Sequence, residues 1–138
     1  MNKEEIKKII PHREPMLLID EAEVKEGKAY GKSYISGDEW FLKGHFPQEP
    51  VVPGVILCEM MGQACSVLLA DKGSNSIPYF TGLNKVKFKN KVVPGDTLEL
   101  ECEIVRIKEP FYFARGRGLI NGKLCVSGEF SFALIKEV

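Results

Sequence analysis

The chain has 138 residues, 44% of them hydrophobic and 28% charged, a composition typical of a globular domain that excludes a disordered or fibrous protein. Its 19 basic and 19 acidic residues cancel, so the overall charge indicates no nucleic-acid binding, and an acidic partner would need a local basic surface. The length predicts a single domain over residues 1–138.

The N-terminus, the longest apolar stretch and the cysteines together predict a cytoplasmic protein. Residues 1–10 have neither the apolar core nor the cleavage site of a secretory signal. Residues 51–70 are apolar, but Pro53, Glu59 and Gln63 interrupt them, so we expect a buried helix and no membrane span. The cysteines form no C-x-x-C pair and have no spacing with histidine that suits a metal, so we expect reduced core thiols and no metal site.

The first half of the chain predicts helices around one hairpin. The expected elements are a helix over residues 3–9, a hairpin of residues 16–24 and 29–35, and a helical turn at residues 40–42. A Gly/Pro-rich loop then leads to a long helix that begins at Pro53 and Gly54. Because this helix is apolar on nearly every side, we expect other elements to enclose it. Residues 71–78 read as a loop, with Gly73 as the helix cap.

The second half of the chain alternates with the period of a strand. The alternating segments are residues 84–89, 97–104, 111–117 and 124–134. Pro94-Gly95 and Asn121-Gly122 are turn sequences, the second typical of a type I′ hairpin. We expect three long antiparallel strands after the helix, and hence an α+β fold in which a curled antiparallel sheet surrounds one long helix. Such a sheet has edges that a second copy can cover, so we expect a homo-oligomer built on a dimer.

A histidine and a carboxylate flank the start of the long helix. His45 lies on the loop and Glu59 lies inside the helix, so a base and an acid stand on either side of backbone N–H groups that can stabilise an oxyanion. A carboxylate among apolar neighbours is costly to ionise, which favours a neutral acid, and Gln63 lies one helical turn away and can orient it. The alternatives are a structural hydrogen-bonding role for His45 and a buried ion pair of Glu59 with an arginine.

The residues around this pair form recognisable motifs. The loop and helix contain Gly44-His45-Phe46-Pro47, Pro50, Pro53-Gly54-Val55, Glu59 and Gln63. Further motifs are Ile10-Pro11-His12-Arg13, Leu17-Leu18-Ile19-Asp20, Tyr79-Phe80-Thr81-Gly82 and Val92-Val93-Pro94-Gly95-Asp96. Together they resemble the (3R)-hydroxyacyl-acyl carrier protein dehydratases of type II fatty acid synthesis over essentially the whole chain. The resemblance implies the hot-dog fold, which is a curled sheet around a central helix.

The resemblance also implies roles for the site residues. His45 is then the catalytic histidine and Glu59 the catalytic acid, contributed by opposite subunits of a dimer, while the backbone amides of Gly54 and Val55 polarise the thioester carbonyl. The substrate arrives on the phosphopantetheine arm of acyl carrier protein. No metal or organic cofactor is expected, because the thioester itself acidifies the proton to be removed. Relatives that also isomerise the double bond usually have aspartate at this position, so Glu59 favours simple dehydration.

Further candidate residues concern the substrate tunnel, the carrier protein and the assembly. Tyr79, placed after the loop, corresponds to a tyrosine that gates the acyl tunnel in the resembling enzymes, and an ordinary strand-start tyrosine is the alternative. Residues assigned to docking of the acidic carrier protein are Lys85, Lys87, Lys89, Arg115 and Arg117. A solvated strand face, shared by the lysines from Lys85 to Lys91, is the alternative. His12 is expected to cap or pack, and the resembling enzymes imply a hexamer formed as a trimer of dimers.

Two other functions compete with dehydration. Thioesterases and coenzyme A hydratases share the fold, but a thioesterase aims a carboxylate or water at the carbonyl carbon, whereas His45 and the helix entry suit proton removal beside it. A catalytically silent acyl-binding module is expected to lack either His45 or Glu59, and this chain retains both.

Overall fold

The computed structural model describes residues 1–46, 48–72 and 76–136. The helices are α1 (Lys3–Ile6), α2 (Trp40–Lys43) and α3 (Gly54–Ser66), the last continuing as a 3-10 helix over Val67–Lys72. The strands are β1 (Glu21–Lys25), β2 (Lys28–Tyr34), β3 (Ser76–Phe88), β4 (Thr97–Lys108), β5 (Phe111–Ile120) and β6 (Lys123–Lys136). Pro47 of the predicted loop motif and the predicted cap Gly73 lie outside the described residues.

The strands form one antiparallel sheet around α3. The order across this 6-stranded sheet is β1-β2-β4-β5-β6-β3. The predicted α+β hot-dog arrangement is therefore confirmed. The expected number of strands after the helix was too low, because four strands follow α3 rather than three. The additional one is β3, whose first half contains Pro78 and Gly82 and shows no alternation of apolar and polar residues.

The N-terminal segment is less regular than its pattern predicts. Helix α1 is shorter than the predicted residues 3–9, and a capping box between Asn2 and Glu5 fixes its start. The predicted first strand begins only at Glu21, although the preceding Leu17, Leu18 and Ile19 are buried. In this stretch Leu18 bonds to side chains instead of a neighbouring strand, since the Ser33 hydroxyl donates to its carbonyl at 2.7 Å. Apolar residues there anchor a loop, not a strand.

Helix α3 forms the centre of the core. Its buried side chains face those of β4 and β5, and the largest are Met60, Met61, Leu98, Leu100 and Tyr112. Each fully buried side chain of this size contributes about 1.5–3 kcal/mol through removal from water. Among the described residues, the segment Gly54–Lys72 is long and apolar enough to cross a membrane, but 61% of it is buried within the fold. Most of its apolar side chains therefore pack in the core of this domain.

The cysteines are buried core residues, as predicted. Cys58, Cys65, Cys102 and Cys125 are all free and buried. Burial raises the pKa of the Cys65 thiol to about 12 and that of Cys102 well above its usual value. Because the thiolate is the reactive form, these thiols are chemically inert near neutral pH.

Two glycines of α3 make room for aromatic rings that reach the helix from β3. A Cβ atom at Gly62 would meet the tip of the Phe80 ring at 2.6 Å, and one at Gly54 would meet the Phe88 ring at 2.8 Å. Any side chain at these positions would therefore push the two rings away from the helix. The glycines allow these rings to lie against the surface of α3.

The predicted turns are confirmed by their backbone angles. Asn121 and Gly122 both have positive φ, 49° and 79°, as a type I′ hairpin requires. Gly95, at the predicted Pro94-Gly95 turn, has a φ of 95°. The Asn121-Gly122 turn joins β5 to β6, which pair from Ile120 and Lys123 onward, whereas the turn at Gly95 leads the chain into β4.

One side of α3 and the neighbouring edge strand remain uncovered in the single chain. Val55 in the first turn is 74% exposed, so the expectation that the helix is enclosed on every side is wrong at its entry. Along β3 the exposed apolar side chains are Tyr79, Phe80, Leu83 and Phe88. Phe80, Leu83 and Phe88 share the face of the sheet that carries α3, whereas Tyr79 lies on the other face. The exposed surface formed by Val55, Phe80, Leu83 and Phe88 is called the β3 surface below.

Candidate active site

His45 is held by the backbone between α2 and α3. Glu39 precedes α2 and accepts hydrogen bonds from the backbone N–H groups of Ser36 and Gly37, both at 2.8 Å, which fixes the turn that leads into the His45 loop. The His45 ring is half-buried, and its Nδ1 atom lies 3.1 Å from the Val51 carbonyl oxygen. A carbonyl can only accept, so Nδ1 carries the hydrogen and the lone pair of Nε2 in the neutral ring is free to take a proton.

The entry of α3 offers backbone donors beside this loop. No side chain caps the helix at its N-cap Pro53, and the amides of Ile56 and Leu57 both donate to the Pro53 carbonyl. The amides of Gly54 and Val55 belong to the first turn, which has no intrahelical acceptor for them. The positive end of the helix dipole adds to their ability to bind an anion.

Glu59 is held through one of its two carboxyl oxygens. The side-chain amide of Gln63 donates to Oε2 at 2.9 Å, and Nε2 of His12 lies 3.3 Å from the same atom. The side chain of Glu59 keeps 23% of its surface exposed. The partner is a histidine, so the alternative of a buried ion pair with an arginine does not hold for the described residues.

Gln63 connects Glu59 to the N-terminal segment. Its Oε1 accepts from the backbone N–H of Leu18 at 2.8 Å, and its Nε2 donates to the Met16 carbonyl at 2.7 Å as well as to Glu59. The side chain is completely buried, so these bonds satisfy its amide without water. Gln63 thereby orients the carboxyl of Glu59 and fixes the segment that carries His12.

A small cavity of about 40 Å³ opens beside Glu59. Its lining residues are His12, Glu59, Gly62, Ser66, Pro78, Phe80 and Phe132. Tyr79 is absent from this lining and lies within β3, which begins at Ser76. The prediction that a loop runs to Pro78 is therefore wrong, because the strand starts before it. The gating role of Tyr79 stays a prediction.

The structure does not bring His45 and Glu59 together within one chain. Over residues 1–46, 48–72 and 76–136, no hydrogen bond or ion pair joins the two side chains. The prediction that opposite subunits contribute them stays a prediction.

The predicted basic surface is partly neutralised. Lys85, Lys87, Arg115 and Arg117 line a groove of about 490 Å³ on the face of the sheet opposite α3, together with Lys28, Glu101, Glu103 and Glu129. Arg117 donates to Glu101 and thereby lowers the pKa of that carboxyl, and Arg115 pairs with Glu103. The groove therefore presents paired charges of both signs.

The lysine row does not continue as expected. Lys85 has a φ of 53° at a break in the strand register between Asn84 and Lys87, and β3 ends at Phe88. Lys89 and Lys91 consequently follow the strand, and Lys91 pairs with Glu49 at 2.6 Å. The prediction of four lysines on one strand face is wrong, because the bulge and the strand end interrupt the alternation.

His12 is the site residue that the sequence pattern missed. It was expected to cap or pack, whereas its ring lies against Glu59. The only signal in the sequence is its place in the Ile10-Pro11-His12-Arg13 motif. No periodicity relates a residue on an N-terminal loop to one on the central helix.

Comparisons with known proteins agree with this architecture. The family model described as the FabA-like domain matches residues 10–129. A relative from Clostridium beijerinckii named 3-hydroxyacyl-[acyl-carrier-protein] dehydratase FabZ is 45% identical over 97% of this chain and 99% of its own length. A relative of the same name from Clostridium botulinum (strain Eklund 17B / Type B) is 46% identical over 95% of this chain and 96% of its own.

Solved structures show the same fold. The dehydratase heterocomplex ApeI:P from Xenorhabdus doucetiae matches with a TM-score of 0.84 and 21% identity, covering 96% of this chain and 91% of the other. A hypothetical thioesterase with coenzyme A from Streptococcus pneumoniae TIGR4 matches with a TM-score of 0.65 and 10% identity, covering 85% and 86%. The family itself follows from the sequence relatives. The resemblance drawn from the motifs is confirmed, and the chain belongs to the FabA-like family, among the FabZ-type 3-hydroxyacyl-[acyl-carrier-protein] dehydratases.

Proposed function

We propose that the protein removes water from (3R)-3-hydroxyacyl-acyl carrier protein to give the trans-2-enoyl thioester, with His45 as base and Glu59 as acid. The observation that carries this proposal is which polar atoms of the two side chains have no hydrogen-bond partner among the described residues. Nε2 of His45 is left with a free lone pair, and Glu59 is held through Oε2 so that Oε1 is available. These are the two groups that an elimination needs.

The reaction begins with removal of a proton from the carbon next to the thioester carbonyl. Nε2 of His45 takes this proton, while the bond from Nδ1 to the Val51 carbonyl stabilises the imidazolium that forms. The negative charge moves to the carbonyl oxygen, where the amides of Gly54 and Val55 and the helix dipole can bind it.

The second half of the reaction is departure of the hydroxyl. The carboxyl of Glu59 donates its proton to the hydroxyl oxygen, the carbon–oxygen bond breaks, and the electron pair left by the first proton forms the double bond. Water leaves, and Glu59 recovers a proton from His45 or from solvent. The thioester acidifies the first proton, so we expect the reaction to need neither metal nor organic cofactor.

We further propose a homodimer as the catalytic unit, in which His45 of one subunit meets Glu59 of the other. The absence of a contact between the two side chains within one chain, over the described residues, supports this arrangement. The exposed β3 surface supports it also, because apolar side chains at a sheet edge favour pairing with a second copy.

The test uses the variants His45→Ala and Glu59→Gln with 3-hydroxyacyl carrier proteins of several chain lengths, resolving trans-2-enoyl, cis-3-enoyl and free-acid products. Each variant is expected to lose about 10²- to 10⁴-fold in turnover. Full turnover by either variant would refute the assignment, and release of free acid by the native protein would identify a thioesterase instead.

Co-expression of the two inactive variants tests the shared site. If subunits exchange their residues across a dimer, half of the random dimers are mixed and each has one intact site, so about a quarter of native turnover returns. If both residues of a site come from one chain, no mixture contains an intact site and turnover stays at the level of the single variants.

We propose that acyl carrier protein docks through the predicted basic residues, with Lys87 as the most important. Among the described residues neither Lys87 nor Lys89 has an ion-pair partner, whereas Arg115 and Arg117 are bound to glutamates, and of these two lysines Lys87 lines the groove. Lys87→Glu is expected to raise KM for the carrier-bound substrate about 10-fold and to leave a small thioester unaffected. An equal change for both substrates would contradict docking at this residue.

A further inference from the structure

His12 and Gln63 hold the same oxygen of Glu59. Both Nε2 atoms approach Oε2, at 3.3 Å and 2.9 Å. Gln63 donates a hydrogen bond to Oε2, and the imidazole of His12 lies within ion-pair distance of the same atom. Over the described residues no donor reaches Oε1. A proton that Glu59 donates therefore belongs on Oε1, the oxygen left to meet a substrate.

The backbone that carries His12 is fixed by its neighbour. The guanidinium of Arg13 donates to the carbonyls of His12 at 2.7 Å, Ile10 at 3.0 Å and Lys7 at 3.1 Å. Ile10 is itself buried in the core. The backbone that carries His12 is thus already ordered before substrate binds. A positioning residue needs this, because ordering it during the reaction would cost free energy.

The surroundings of the second ring nitrogen indicate the tautomer of His12. Nδ1 is buried and has no hydrogen-bond partner among the described residues. A buried N–H group without an acceptor is rarer in proteins than a buried acceptor without a donor. The hydrogen therefore lies on Nε2, the nitrogen that stands 3.3 Å from Oε2 of Glu59, and Nδ1 carries only its lone pair.

We propose that His12 is a positioning residue for the acid Glu59. Together with Gln63 it holds Oε2, selects Oε1 as the oxygen that carries the transferred proton, and aims that oxygen at the leaving hydroxyl. The proposal rests on the proposed dehydration for its kinetic consequence, but the contact itself can be measured without turnover.

Three substitutions separate positioning from packing. Glutamine places an amide nitrogen where Nε2 of histidine lies, whereas asparagine is too short and alanine has no donor. His12→Ala and His12→Asn are expected to lower kcat on a small (3R)-3-hydroxyacyl thioester by about 10- to 100-fold and to change KM by less than about 3-fold. His12→Gln is expected to restore kcat to within about 3-fold of the native value.

An infrared measurement reports the contact directly. The difference spectrum between the native protein and Glu59→Gln identifies the carboxyl band of Glu59. That band is expected to shift in His12→Ala and His12→Asn and to return in His12→Gln. Lys7→Gln is the matched control, because it breaks the ion pair of Lys7 with Glu14 on the same segment without touching Glu59.

The outcomes distinguish this inference from the proposed function. A native kcat in His12→Ala, a His12→Gln variant as slow as His12→Ala, or an unmoved carboxyl band would overturn the role of His12. Absence of dehydration by the native protein would overturn the proposed function, and the infrared band would still decide whether His12 holds Glu59. If His12→Ala fails to fold, the asparagine and glutamine variants make the same comparison at nearly equal size.

Discussion

The carboxyl of Glu59 and the imidazole of His45 lie in regions that a single chain completes to different degrees. Around Glu59, Gln63 is buried with its amide satisfied, and His12 comes from a segment that Arg13 fixes. Around His45, Val55 at the helix entry and Phe46 stacked on the ring are both largely exposed. One region is a largely buried polar network, in which His12 Nδ1 and Oε1 of Glu59 have no partner among the described residues, and the other is an open apolar surface.

The difference indicates which region a second subunit would cover in the proposed dimer. An exposed apolar surface gains about 25 cal/mol for each Å² that a partner covers, whereas a polar network that is already buried offers little such area. Association is therefore expected to change the surroundings of the helix entry more than the contacts that hold Glu59.

The largest effect is expected when a charged residue is introduced at one edge of the sheet at a time. Leu83 on β3 is 51% exposed and Val24 on β1 is 49% exposed, so lysine at each position adds the same charge at opposite edges of the sheet. Leu83→Lys is expected to give folded monomers with turnover reduced more than about 100-fold, because a charge cannot be buried unpaired in an interface.

The measurements for this pair are sedimentation velocity, circular dichroism and turnover. Val24→Lys is expected to keep the native assembly and activity. Active monomers of Leu83→Lys would show that one chain completes the site, and dissociation by Val24→Lys would place the interface at the other edge.

A second substitution tests how self-contained the acid region is. Gln63→Leu leaves the buried Leu18 N–H without an acceptor and removes a donor from the part-buried Met16 carbonyl, so the free energy of unfolding is expected to fall by about 1–3 kcal/mol. Urea denaturation measures the loss. Thr81→Val is the control, since it removes one exposed hydrogen bond to Ser131 and is expected to cost less than about 1 kcal/mol. Equal losses would mean that the network around Glu59 is not a stabilising unit.

The smallest expected effect concerns the turn that leads to His45. Burial raises the pKa of Glu39, but hydrogen bonds from the backbone N–H groups of Ser36 and Gly37 outweigh it, and the net pKa is lowered. A lowered pKa in the folded state means that the stabilisation is complete at neutral pH and is lost as the pH falls through the folded-state pKa. Glu39→Gln is therefore expected to cost about 1 kcal/mol at pH 7 and nothing in acid below that pKa.

Unfolding measured across this pH range checks the sign. Glu23→Gln, at an exposed position of β1, is the control and is expected to show no such pH-dependent difference. A Glu39→Gln penalty that grew in acid would contradict the assignment of those backbone donors to the carboxylate.

The sequence pattern predicted those helices and strands in which buried and exposed positions alternate regularly. The start of α3 at Gly54 followed from a Pro-Gly pair before an apolar run, and β4 to β6 followed from alternation that the two-sided sheet imposes. The first half of β3 could not be predicted, because Phe80 packs on Gly62 of α3 while the neighbouring Tyr79 is exposed, so both successive positions are aromatic and no alternation results. The lysine row failed for a related reason, since one bulge at Lys85 ends the alternation.

For the site, the sequence by itself determined the residue types, the helix entry between them and the family. Glu59 and Gln63 could be singled out because they are polar residues in an apolar helix, where burying a polar group is costly. His45 could be singled out because it lies in a loop rich in proline and glycine. The helical spacing also predicted that Gln63 could orient Glu59, as its hydrogen bond does. Only the tertiary structure decided that His12 joins Gln63 at the same oxygen and that, over the described residues, His45 makes no hydrogen bond or ion pair with Glu59 of its own chain. His12 and Glu59 are far apart along the chain, and the packing of the N-terminal segment and the sheet around α3 sets whether such residues meet.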